Sequence, residues 1–71
     1  MNHFLVIFER TDSGFSAYSP DLPGCMATGS THDEVEKNML GAIHFHLEGM
    51  KIENIPIPSS RTTAERFAVP A

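Results

Sequence analysis

The sequence predicts a small α+β domain in which one long helix packs across an antiparallel sheet. Three observations carry that prediction. A β-branched and aromatic run opens the chain and is followed, after a turn, by a second alternating run. A capping sequence at residues 31–34 then starts a long amphipathic stretch. Between the two lies a joint, residues 19–31, punctuated by Pro20, Pro23, Gly24 and Gly29. Proline fixes φ and lacks an N–H, and glycine admits positive φ, so this joint cannot be regular throughout.

Residues 3–10 (HFLVIFER) read as the first strand, with Phe4, Val6 and Phe8 on one face and Leu5 and Ile7 on the other. Both faces are apolar, which predicts a central strand covered on each side. Thr11-Asp12-Ser13-Gly14 is a turn, and Phe15 to Ser19 a second strand with one more solvated face. Residues 25–28 give a short third strand, antiparallel to the second.

Thr31-His32-Asp33-Glu34 fits a capping box, in which the threonine oxygen takes the Glu34 amide and the Glu34 carboxylate returns to the threonine N–H. The helix is predicted over residues 32–48. Val35, Met39, Ala42, Ile43, His46, Leu47 and Met50 recur at three- and four-residue steps. Phe45 falls beside that stripe, and Gly49 is placed as a left-handed cap. The prolines in Asn54-Ile55-Pro56-Ile57-Pro58 restrict that segment to an edge or extended role, and residues 66–69 alternate enough for a last short strand. Residues 1–58 therefore form the domain and residues 59–71 a short C-terminal tail.

Seventy-one residues hold at most one domain. A core of this size supplies roughly 3–5 kcal/mol, and small domains commonly add disulfides, metals or association. One cysteine excludes an internal disulfide, so association with a second copy or a partner protein is the expected remedy. A net charge of −4 argues against direct nucleic-acid binding, because phosphate contacts need clustered Lys and Arg. The run from Phe4 to Phe8 is too short for a signal sequence or membrane span, so a cytoplasmic location is expected.

Chemistry-bearing residues are few. The acids Glu9, Asp12, Asp21, Asp33 and Glu34 match no metal-ligand spacing, and the last two already serve the helix start. His44 and His46 stand two apart, which on a helix directs them about 200° from one another and rules out a shared metal. Cys25, in a short apolar strand, reads as a small buried hydrophobe rather than a nucleophile. No phosphate-binding glycine motif occurs. Elimination favours a binding or structural module with no catalytic residue, metal or cofactor.

The order of the parts resembles a known family. Gly14-Phe15, then Ser19-Pro20-Asp21-Leu22-Pro23-Gly24-Cys25, then Gly29 with Thr31-His32-Asp33-Glu34-Val35, a long helix and Ile55-Pro56-Ile57-Pro58 together resemble HicB-type antitoxins. The family pattern is an aromatic strand, P-D-L-P-G-C, a G-x-T-x-x-E-A helix start and a proline-bearing segment after the helix. Val35 stands where the family has Ala, a conservative change on the core side.

The resemblance implies a truncated ribonuclease-H-like fold: a three-stranded antiparallel sheet, one long helix and a short extra strand. It also implies a protein that is not an enzyme and that neutralises a small basic HicA-type toxin, an mRNA-cleaving ribonuclease. Many members add a DNA-binding domain after the one described, for which residues 59–71 are too short, so operator binding by this chain alone is not expected. Glu9, Asp12 and Asp21 are the expected toxin contacts, and a homodimer or higher homo-oligomer is expected. The alternatives are an orphan homo-oligomeric domain with another partner or none, and, on fold analogy alone, a ribonuclease-like enzyme.

Overall fold

The computed structural model describes residues 2–71. Its elements follow the predicted order: β1 (Ile7–Thr11), β2 (Gly14–Tyr18), β3 (Met26–Gly29) and α1 (His32–Ile52). The strands form one antiparallel sheet in the order β1-β2-β3, so β2 is central and β1 lies at an edge. The expectation of a central first strand is therefore corrected. Phe4, Val6 and Phe8 pack against the core as the alternation requires, and Leu5 and Ile7 on the other face are half-buried.

β1 begins at Ile7 rather than His3, for a reason visible in the register. Ile7 pairs with Tyr18, so Leu5 would face Pro20, which has no N–H to donate. The Ser19 hydroxyl takes over and donates to the Leu5 carbonyl at 2.9 Å. Ser19 is itself buried and Leu5 half-buried, so this bond is partly shielded from water.

The joint resolves into two successive turns, each with proline at its second position. Leu22 N donates to Ser19 O at 3.1 Å across Pro20-Asp21, and Cys25 N donates to Leu22 O at 3.0 Å across Pro23-Gly24. Gly24 has φ +83°, the left-handed value that the third position of a type II turn demands. A further bond from Ser19 N to Cys25 O closes the loop. Closure drives Leu22 into the core, where it is fully buried beside Ala17, Cys25, Val35 and Met39.

The helix lies over β3 and β2. Small residues at this contact let it approach: Ala17 pairs with Ala27 and Phe15 with Gly29. At Gly29 the fit is closest, since a Cβ there would stand 2.6 Å from the Val35 backbone nitrogen. Asn38 Nδ2 donates to the Thr28 carbonyl at 2.9 Å and occupies an acceptor of the edge strand β3. His32 stacks on Phe8, with centroids 4.6 Å apart, and meets Phe15 edge-on at 5.7 Å. The first helical residue is thus anchored to two strands.

Both helix ends differ in detail from expectation. Thr31 Oγ1 accepts the Glu34 amide as predicted, but the Glu34 carboxylate takes the N–H of Ser30, one residue earlier than the capping box places it. At the other end the helix runs through Gly49 to Ile52. Asn54, at φ +57°, supplies the left-handed residue instead. Asn54 N bonds Lys51 O and Ile55 N bonds Met50 O, the paired bonds of a Schellman motif. Asparagine tolerates that conformation better than other non-glycine residues, so Gly49 is not needed there. Residues 53–71 form no strand, which corrects the short strand expected at 66–69 and the extra strand of the predicted fold.

Two glycine substitutions test this geometry in opposite directions. Gly29→Ala forces a methyl against helix backbone and should cost about 1–3 kcal/mol in denaturant unfolding. Gly49→Ala enters open space in a helix interior and should stabilise by about 0.5–1 kcal/mol. A destabilising Gly49→Ala would show that the helix ends at Gly49 after all.

Candidate partner-binding surface

The three acids proposed for partner contact do not form one patch. Glu9 is an exposed residue of β1 opposite Ser16, and Asp12 is exposed in the two-residue turn that joins β1 to β2. Asp21 lies beyond the other end of β2, a five-residue strand roughly 17 Å long at about 3.3 Å per residue. The hairpin thus presents Asp12 at its turn and Glu9 at mid-strand, with Asp21 beyond the opposite end of the sheet.

Asp21 is spoken for by the tail. Arg61 N and Thr62 N donate to its Oδ2 at 2.9 and 3.0 Å, and the Thr62 hydroxyl donates to Oδ1 at 2.6 Å. These donors favour the ionised form, Thr62 most, and with the Arg61 charge they hold the Asp21 carboxyl below its ordinary value. No local sequence signal connects residues forty positions apart, so the sequence reading missed this contact.

The other chemistry-bearing residues lie apart from these acids: Cys25 at the end of the joint and His44 and His46 on the helix. Cys25 is buried, and burial pushes its thiol up, so the nucleophilic thiolate is disfavoured. His44 is exposed and His46 half-buried. Among the described residues no three His, Cys, Asp or Glu side chains are grouped to hold a metal ion, and no helix is long and apolar enough to cross a membrane.

Apolar surface is more plentiful than charge. Phe45 is 84% exposed and Ile52 75%, on a helix whose other face is the core. Because the helix sits over β2 and β3, a groove stays open on the β1 side, lined by Phe4, Val6, Phe8, Leu40, Ile43 and Leu47. The tail adds exposed Phe67 and Val69.

The Asp21 contact carries a pH dependence. A carboxyl whose folded value is depressed contributes stability that is present above its unfolded value and is lost as pH falls through the folded one. The Arg61 and Thr62 amide resonances should titrate with a midpoint below 3.8, the ordinary aspartate value. A midpoint at or above 3.8 would contradict the tethering.

Comparison with known proteins supplies the family. The chain is 36% identical over 55 residues to a 14.9 kDa protein of the rep-hol intergenic region of Haemophilus phage HP1, covering 78% of this chain but 41% of the phage protein. It is 32% identical over 57 residues to a UPF0150 protein of Synechocystis, covering 80% of this chain and 72% of that relative. Among solved structures, a chain of a HicA3 and HicB3 toxin-antitoxin complex matches with a TM-score of 0.73 and 32% identity, over 84% of this chain and 70% of that one. The family model described as the HicB-like antitoxin of bacterial toxin-antitoxin systems matches residues 4–71. Spanning nearly the whole chain and agreeing with the sheet and helix described above, that match shows that the protein belongs to the HicB-like antitoxin family.

Proposed function

We propose that this chain is an antitoxin that neutralises a small basic HicA-type, mRNA-cleaving toxin by binding it directly. The observation that carries this reading is the likeness to a chain from a HicA3 and HicB3 complex, close in both fold and sequence. The charge supports it: a net −4 on a 71-residue chain suits a basic partner and disfavours nucleic acid. So does the chemistry of the surface, where Cys25 is buried and Asp21 is engaged by the tail. The function needs no catalytic residue, cofactor or metal, and its place is the cytoplasm.

Glu9 and Asp12 are the proposed acidic contacts on the hairpin, and Asp21 a separate one at the joint. Charges at the rim of an interface act chiefly on association rate. Self-association is a second part of the proposal: Phe45, Ile52, Phe67 and Val69 are large apolar side chains left open by a five-residue buried core. Cover by a second copy makes the chain a homodimer or a higher homo-oligomer.

Co-expression with a HicA-type toxin should yield a complex that co-purifies and relieves toxicity. A toxin that neither co-purifies nor loses toxicity would overturn the reading. The pair Glu9→Lys and Asp12→Lys should slow association about tenfold at low salt, with stability changed by no more than about 0.5 kcal/mol. Unchanged association would place the contact elsewhere. Light scattering should return at least twice the 7.8 kDa chain mass, and a monomer at all concentrations would exclude self-association.

A further inference from the structure

We propose that Asp21 is a latch that straps the C-terminal segment across the free edge of β1, so that opening the latch uncovers that edge. Leu5, Val6, Ile7 and Phe8 line one groove together with Ala64, Glu65 and Arg66. Successive strand residues point to opposite faces. Ile7 and Phe8 of β1 point to opposite faces yet both line this groove, so it runs along the rim of the strand, with residues 64–66 as its other wall. Among the described residues β1 pairs with β2 alone, so the backbone groups on its other side are unpaired.

The strap lies beside this edge without being paired to it. Among the described residues, the backbone bonds outside the helix and strands fall at residues 19–25, 31–35 and 49–55, and none reaches residues 59–71. What ties the tail to the domain by hydrogen bonds is the carboxylate of Asp21, through Arg61 and Thr62. Beyond that point the apolar side chains are unburied, with Phe67 81% exposed and Val69 73%. Thirteen residues are therefore governed from one attachment, and that attachment sits on the joint, which the core holds rigidly through Leu22. Phe8 and His32, which stack on each other, also line the groove and would be uncovered with it.

The test is tryptic cleavage of the Arg61–Thr62 bond in the full chain, read beside amide hydrogen exchange. Cleavage should rise about tenfold in Asp21→Asn and several-fold in Thr62→Ala, with exchange at Met39 and Ile43 unchanged and the Ile7 and Phe8 resonances shifted. Thr62→Ala removes one donor without touching the joint, so it decides alone if Asp21→Asn does not fold. Cleavage at the wild-type rate in Thr62→Ala, or rising only in step with helix exchange, would overturn the latch.

Discussion

Closure of the loop from Ser19 to Cys25 is the constraint on which the rest of this small fold depends. Three backbone bonds and two prolines fix its path, and two side chains, Leu22 and Cys25, carry its anchorage into the core. The loop ends the β1–β2 ladder and reverses the chain into β3. It also turns Asp21 away from Leu22, outward to the tail. A domain with five buried apolar residues has little redundancy, so a loop that contributes two of them is a large part of its stability. The prolines assist from the other side of the equilibrium, since they restrict the unfolded chain as well as shaping the turns.

Local chemistry made much of this legible in the sequence. The hairpin, the third strand and the helix start are written in adjacent residues: alternating apolar positions, turn formers, and a threonine three residues before a glutamate. In sequence Gly49 is the obvious left-handed candidate for the helix end, whereas in the fold Asn54 takes that role once Ile55 and Met50 close the second bond. The edge position of β1 is hidden in the sequence for a different reason. Apolar residues on both faces commonly mean a covered central strand, but here Leu5 and Ile7 are sheltered at an edge where the tail returns.

The candidate site was less legible than the fold. Glu9, Asp12 and Asp21 look alike in sequence, yet two are exposed on the hairpin and one is the anchor of a segment forty residues away. Contacts of that separation leave no periodic or motif-like trace. Family resemblance supplied the functional expectation, and the structure supplied its physical content. Three of the potentially reactive groups have structural partners: Cys25 lies in the core, Asp21 holds the tail and His32 meets two phenylalanines. The exposed surface includes the hairpin acids Glu9 and Asp12 and large apolar side chains on the helix and tail.

Amide hydrogen exchange across the loop tests its central role most directly. If the loop is the keystone, the Leu22 and Cys25 amides exchange as slowly as that of Met39 in the helix, only when the whole domain opens. The Arg61 and Thr62 amides, held by Asp21 alone, then exchange through a separate and easier opening. Leu22 and Cys25 amides exchanging orders of magnitude faster than Met39 would contradict it, showing a loop that opens while the sheet and helix stay folded.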